Sequence, residues 1–121
     1  MAAFAPAALK RVATLADGWN PVAIPLDGMV QMFAAVKQMA KDAGRDPSSL
    51  AMIVRVNLEI SDKPAGDKRM FFSGTIDQIK EDIARCKDIG ARELFFDPTF
   101  SPEAQSLARW LALMEQFRKL V

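Results

Sequence analysis

The pattern of this sequence predicts an α/β fold in which helices alternate with strands. Helical and strand periodicities follow one another from residue 6 to the end of the chain. Proline and glycine separate these segments, as expected at the junctions of strand–helix units. Such alternation favours a parallel sheet with crossover helices. We therefore expect about three parallel strands and four helices.

The composition is that of an ordinary globular protein, and we expect a single domain over residues 1–121. Half of the 121 residues are hydrophobic and 26% are charged, which is enough to build one core. The net charge of +1 offers no basic face for nucleic acid. No apolar run approaches the roughly 18 residues of a membrane span, and the first residues do not resemble a signal peptide. We expect a cytoplasmic protein that binds neither nucleic acid nor membrane.

The missing residue types exclude several kinds of active site. The chain has no His and no Tyr, and Cys86 is its one cysteine. Catalytic triads of the Ser-His-Asp type and zinc sites built from Cys and His are therefore impossible within one chain. Because Cys86 lies on the apolar face of its helix, we expect a buried and inert thiol. We expect no metal site, and acid–base chemistry would fall to Asp, Glu, Lys, Cys or a cofactor.

Helix signals dominate the first 50 residues. Pro6 suits the first position of a helix, and Gly18 is expected to stop that helix. Asp27 is expected to cap a second helix. Gly44 is expected to end it.

The clearest strand signal covers Ala51–Ile60, where the period changes to two. One face of this predicted strand is wholly apolar. The other face becomes polar toward its carboxyl end. The polar residues on that face are Arg55, Asn57 and Glu59.

The second half begins with a charged loop over residues 61–69. Thr75-x-x-Gln78 is a capping box that predicts a helix, and Gly90 is expected to end it. Glu93–Asp97 is predicted to be a short buried strand. Ser101 is expected to cap the last helix. The predicted core stripe of that helix is Leu107, Trp110, Leu111, Met114, Phe117 and Val121.

Two stretches of the chain carry a family resemblance. The first runs Ala2-Ala3-Phe4-Ala5-Pro6-Ala7-Ala8-Leu9 and closes on Asp17-Gly18-Trp19. The second runs Gly74-Thr75-Ile76-Asp77-Gln78 and continues at Gly90-Ala91-Arg92-Glu93-Leu94, with Ile76 in place of the usual proline. Their order and spacing resemble the bacterial luciferase-like monooxygenase superfamily, which comprises flavin- and deazaflavin-dependent oxidoreductases.

The resemblance implies a (β/α)8 TIM barrel, a fold that typically needs about 250 residues. The chain matches the C-terminal part of that barrel, so the expected structure is a partial barrel. We expect a truncated oxidoreductase that is not active alone, with the catalytic residues unknown and much of the active site in an absent N-terminal half. The expected partner is that missing half-barrel or a second copy of this chain.

The resemblance also implies a cofactor, either FMN or the deazaflavin coenzyme F-420. The turn before the first helix would hold the cofactor phosphate, because a helix N-terminus favours an anion. The Asp-Gly-Trp segment would lie beside the cofactor. The alternatives are a frayed terminus at the turn and a helix stop with a packed tryptophan. The cofactor-binding candidates are Ala3, Phe4, Ala5, Asp17, Gly18 and Trp19.

The polar strand face gives the substrate candidates. In a barrel, Arg55, Asn57 and Glu59 would point inward near the carboxyl end of a strand, where barrel active sites lie. A sheet with one solvated face would show the same pattern, and both interpretations remain open here. A second functional hypothesis is a non-catalytic α/β module that forms a homodimer through open sheet edges.

Overall fold

The structure is a computed structural model, and it describes residues 1–118 and residue 120. Val121, which the sequence places in the last apolar stripe, lies outside the described residues. The described residues form four α-helices, as predicted. They are α1 (Pro6–Leu15), α2 (Leu26–Asp42), α3 (Ile76–Asp88) and α4 (Leu107–Phe117). The strands are β1 (Gly18–Trp19), β2 (Ala51–Asn57), β3 (Glu59–Ile60), β4 (Ser73–Gly74) and β5 (Glu93–Asp97).

Two sheets contain these strands. The larger sheet has the order β1-β2-β5, and the smaller sheet pairs β3 with β4. Both β1–β2 and β3–β4 are parallel pairs. The N–H of Arg92 donates to Met52 O and the N–H of Leu58 donates to Asp97 O, so β5 advances in the same direction as β2. The prediction of an α/β fold with parallel strands is confirmed, and the described residues contain five strands where about three were expected.

The chain divides into two compact units. The first contains Met1–Arg55 and Cys86–Phe95. The second contains Val56–Arg85 and the chain from residue 96 onward.

In the first unit, α1 begins at Pro6 and buries Leu9, Val12 and Ala13. The predicted stop at Gly18 is wrong, because the helix already ends at Leu15 and Gly18 belongs to β1. A side chain at Gly18 would place its Cβ 2.7 Å from the carbonyl oxygen of Ala51, so the close approach of β1 to β2 requires glycine there.

The second helix also differs from prediction at its start. Pro25 occupies the cap position of α2, and Asp27 lies within the first turn. The carboxylate of Asp27 therefore faces the positive end of the helix dipole without capping a backbone N–H. At the other end, Gly44 adopts a φ of +74°, which suits the predicted helix end.

The strand predicted over Ala51–Ile60 is interrupted, so its prediction as one continuous element is wrong. β2 alternates between buried and half-buried residues as far as Asn57. Leu58 then bonds to Asp97, and Glu59 begins β3, which pairs with β4. The sequence pattern continues through this break because alternating apolar residues suit both strands.

In the second unit, α3 begins with the predicted capping box. The N–H of Gln78 donates to Thr75 Oγ1 over 3.4 Å, and the N–H of Thr75 donates to Gln78 Oε1 over 3.1 Å. Gly90 follows with a φ of +82°, as a helix end requires. Cys86 is buried, as expected.

The start of the last helix differs from prediction. Pro102–Gln105 forms a 3-10 helix, and α4 is capped by Ser106 instead of Ser101. The predicted core stripe is only partly buried. Leu113 and Phe117 are the buried residues of α4, while Leu107, Leu111 and Met114 are exposed. Within the described part of the chain, no helix has the length and apolar character needed to cross a membrane.

Candidate functional site

Met1 lies beside β1 as a residue of a parallel strand would. Its terminal amine donates to Gly18 O, and its carbonyl accepts the N–H of Asn20, both over 2.9 Å. These two bonds to residues on either side of Trp19 follow the parallel pattern. The residues that follow Met1 therefore form a strand-to-helix turn that leads into α1.

The turn at Ala3, Phe4 and Ala5 leads into the N-terminus of α1. Ala5 is the cap residue, has an extended backbone and provides no side-chain hydrogen bond. The first turn of α1 contains no acidic residue. Ala5 and Phe4 are exposed, so the positive end of the helix dipole is open on this side.

Trp19 holds the backbone of this turn in place. Its indole N–H donates to the carbonyl of Ala3 over 2.9 Å, and both residues are buried. The indole also stacks on Phe33 of α2, with 6.2 Å between ring centroids and 14° between planes. The structure therefore brings Ala3 and Trp19 together, and the role it shows for Trp19 is to hold the turn.

Asp17 lies away from the turn. Its carbonyl accepts the N–H of Ala51, while its exposed carboxylate lies 3.8 Å from Arg45. Arg45 also donates to the carbonyl of Ala13, at 3.3 Å. An exposed pair at this distance contributes little stability.

The polar residues of β2 lie on the face turned away from α2. Met52 is opposite Trp19 in the parallel register and shares its face, which is covered by α2 through Phe33. Arg55 is odd-numbered like Asn57, so both side chains project from the other face. The Asn57 side-chain oxygen is buried and accepts no hydrogen bond from the described residues.

Glu59 does not belong with these two residues. It lies beyond the break at Leu58, its side chain is exposed, and its N–H donates to Phe72 O. The structure therefore places Glu59 on β3, the short strand after the one that carries Arg55 and Asn57.

A buried ion pair lies in the second unit, where the sequence predicts a solvated loop. Arg69 donates two hydrogen bonds to the carboxylate of Asp82, at 2.5 and 2.8 Å, and Asp82 is fully buried. This bidentate hydrogen bond raises the pKa of the Arg69 guanidinium above its ordinary value. Asp82 also accepts the N–H of Phe72, whose φ of +66° is a strained conformation for an aromatic residue.

Gln78 provides a second connection between the loop and α3. Its side-chain oxygen accepts the N–H of Ala65, and its amide nitrogen donates to the Ala65 carbonyl. A Cβ on Gly74 would lie 2.2 Å from the same oxygen, and the φ of +126° favours glycine at this position. The capping-box pattern identifies Gln78, but its bonds to Ala65 have no sequence signal.

The second unit also contains an open cleft of about 570 Å³. The cleft lies where β3 and β4 end and α3 begins, and carboxyl ends of parallel strands are common ligand sites. Sequence reasoning missed it because β4 has only two residues and no strand pattern. The lining residues are Ile60, Ser61, Asp62, Thr75, Ile76, Asp77, Lys80 and Gln116.

The comparisons with known proteins agree with this architecture. The crystal structure of a long-chain alkane monooxygenase (LadA) aligns with 94% of this chain at 10% sequence identity and a TM-score of 0.63. That likeness concerns the fold, and this chain spans 38% of the LadA chain. No curated protein is a significant match. The family model of luciferase-like monooxygenases matches residues 1–71, which is more than half of the sequence. This protein belongs to the luciferase-like monooxygenase family.

Proposed function

We propose that the chain is part of a flavin- or deazaflavin-dependent oxidoreductase and that its role there is to hold the cofactor phosphate. The observation that carries this proposal is the exposed N-terminus of α1, which follows the turn at Ala3, Phe4 and Ala5 and has no side-chain cap and no acid in its first turn. A phosphate group is stabilised by backbone N–H groups at such a helix start. FMN and coenzyme F-420 both carry phosphate.

The residues around the turn fit an anionic group. Ala3 is held by Trp19, so the turn has a fixed backbone. Ala5 adds neither bulk nor charge at the cap position of α1. When bound, the cofactor would supply the hydride or oxygen chemistry, while these residues would position it.

Asn57 supports a ligand on the polar face of β2. A buried acceptor with no hydrogen bond costs about 1–3 kcal/mol, and a ligand donor would remove that cost. We assign Asn57 to substrate contacts. Because the chain spans 38% of the LadA structure, we propose that it is not an active enzyme alone.

The test is a titration of the purified chain with FMN and with coenzyme F-420, followed by fluorescence. Wild type is expected to bind one of them saturably, and inorganic phosphate is expected to compete. Ala5→Asp places a carboxylate at the cap, where it stabilises α1 but repels phosphate. Ala5→Ser is the matched control, because it caps the helix without a charge.

Binding that is lost in Ala5→Asp and kept in Ala5→Ser supports the proposal. Equal binding by both variants would place the phosphate elsewhere, and no binding by wild type would remove the cofactor role. Turnover by the isolated chain would contradict its proposed dependence on further barrel strands.

One observation favours the non-catalytic homodimer as a second candidate. β5 lies at one end of the strand order of the larger sheet. Phe95 on this strand is 55% exposed. Exposed edges of this kind promote pairing between chains. Phe95→Lys is expected to abolish a dimer that forms through this edge.

A further inference from the structure

The open cleft of the second unit contains charged side chains that the fold does not use. Asp62, Asp77 and Lys80 line the cleft, and none of these side chains forms a hydrogen bond or an ion pair with the described residues. Arg69 and Asp82 of the same unit are, by contrast, fully engaged with each other. A concave surface onto which a few polar groups converge is the usual form of a ligand site.

The backbone brings the two carboxylates to the cleft from different elements. Ile60 is the last residue of β3 and lies opposite Gly74 of β4 in the parallel register. The N–H of Ser61 then donates to the Gly74 carbonyl over 2.9 Å, which keeps the chain after β3 beside the start of α3. Asp62 therefore enters the cleft from the loop after β3, and Asp77 enters it from the first turn of α3.

The charged pair on α3 has the spacing of the two charged groups on an α-amino acid. Asp77 and Lys80 are three residues apart on the helix, so their Cβ atoms are about 5–6 Å from each other. The Asp77 carboxylate can accept hydrogen bonds from a ligand ammonium group while the Lys80 ammonium donates to the neighbouring ligand carboxylate. Asp62 then remains for a second cationic group, at the end of the ligand's side chain.

We propose that this cleft binds a basic amino acid, a ligand with two cationic groups and one carboxylate. The cleft has the complementary set, because its lining includes two carboxylates and one ammonium group. Ile60 and Ile76 are half-buried in the same lining and give the hydrocarbon part of the ligand an apolar surface. The volume of about 570 Å³ lies within the roughly 300–1,000 Å³ of small-molecule sites.

Two other classes of ligand fit these residues less well. A simple anion is disfavoured because Asp77 already places a carboxylate in the first turn of α3, at the positive end of the helix dipole. A bound metal ion is disfavoured because the described residues contain no group of three or more side chains that could hold one. The proposal does not rest on the cofactor role of α1, since it uses residues of the second unit alone.

The experiment is a titration of the full chain with L-arginine at constant ionic strength, followed by NMR of the backbone amides. We expect saturable shifts at residues 60–62 and 75–80. L-citrulline has the same shape with a neutral side chain, and agmatine lacks the carboxylate. Each is expected to bind about fivefold more weakly than L-arginine, the upper end for one exposed ion pair.

Variants assign each charged group to its part of the ligand. Asp62→Asn is expected to weaken L-arginine about fivefold and to leave the affinity for L-citrulline unchanged. Lys80→Gln is expected to weaken L-arginine to a similar extent without weakening agmatine, and Asp77→Asn to weaken all three ligands. Asp88→Asn is the matched control, because Asp88 is an exposed acid of the same helix outside the lining of the cleft. Circular dichroism checks that the variants remain folded.

Three results would overturn the proposal. One is the absence of saturable shifts with L-arginine at millimolar concentrations. The second is an equal affinity for L-arginine in Asp62→Asn and Asp88→Asn, which would mean that Asp62 does not contact the ligand. The third is an equal response to guanidinium chloride at the same concentration, which would show a general effect of cations without recognition of an amino acid.

Discussion

The two units of this protein hold their backbone in place by different means. In the first unit, apolar side chains at regular spacing meet across β1, β2 and α2, as in the contact of Trp19 with Phe33. In the second unit, a loop is held to α3 by Arg69, Gln78 and Asp82. The comparison teaches that regular packing spreads stability over many residues, while polar connections concentrate it in a few. The predictions below test that difference.

The largest effect is expected from Asp82→Ala. The change leaves the half-buried Arg69 without its carboxylate and removes the acceptor for the strained Phe72 N–H. Removing one partner of a buried pair costs about 3–5 kcal/mol. The free energy of unfolding, measured with urea, is expected to fall by that amount.

The control for this change is Asp88→Ala, which removes an exposed acid at the end of the same helix. Its unfolding free energy is expected to stay within about 0.5 kcal/mol of wild type. If Asp82→Ala also lay within that range, the ion pair would not be what holds the loop.

A somewhat smaller effect is expected from Met52→Ala in the first unit. Met52 is 1% exposed and lies opposite Trp19 in β2. Truncating a buried methionine costs about 2–5 kcal/mol, and we expect about 3 because several neighbours share the packing. Ile53→Ala changes the half-buried face of the same strand and is expected to lower the free energy of unfolding by less than half as much. Equal decreases in the two variants would mean that both faces of β2 are packed alike.

Gln78→Ala is expected to cost about 2 kcal/mol, because it removes three part-buried hydrogen bonds of about 0.5–1.5 kcal/mol each, with partial compensation by water. Thr75→Ala removes only the cap and is expected to cost about 1 kcal/mol. Hydrogen exchange separates the two variants. The amide of Ala65 is expected to lose protection in Gln78→Ala and to keep it in Thr75→Ala; protection retained in both would contradict the proposed connection.

The smallest effect concerns Asp46, at the start of the short 3-10 helix at Pro47–Ser49. The Ser48 hydroxyl, at 2.6 Å, and the Ser48 N–H lower the pKa of this carboxyl below its ordinary value of 3.8. Since the folded-state pKa is the lower one, its stabilisation is present above pH 3.8 and is lost as the pH falls through the folded-state pKa. In an NMR titration, Ser48→Ala is expected to raise the pKa of Asp46 toward 3.8; an unchanged pKa would show that the hydroxyl is not the cause.

The sequence predicts the first unit more fully than the second. Helix periodicity, Pro6 and the alternation of β2 depend on neighbours in sequence, and these elements are present. The pairing of Arg69 with Asp82 joins residues 13 apart across a loop. No local pattern distinguishes that arginine from the exposed charges around it, so its burial could not be predicted.

The candidate site, too, could be predicted from the sequence only in part. The turn before α1 could be placed from Pro6 and from the family resemblance. The hydrogen bond from Trp19 to Ala3 could not, because it joins positions 16 apart through the fold. The break at Leu58 was also hidden, because the apolar alternation of β2 continues into β3.

The geometry of Gly18 bears on how the Asp-Gly-Trp segment should be used to recognise related sequences. The glycine is required by the carbonyl of Ala51, and the tryptophan is engaged with Ala3 and Phe33. Gly18 is therefore required by strand spacing, and Trp19 is required by packing. A relative that had lost all redox chemistry would still need them in order to fold. Retention of this segment in a genome survey is therefore a marker of barrel architecture, and catalytic competence has to be judged from other positions.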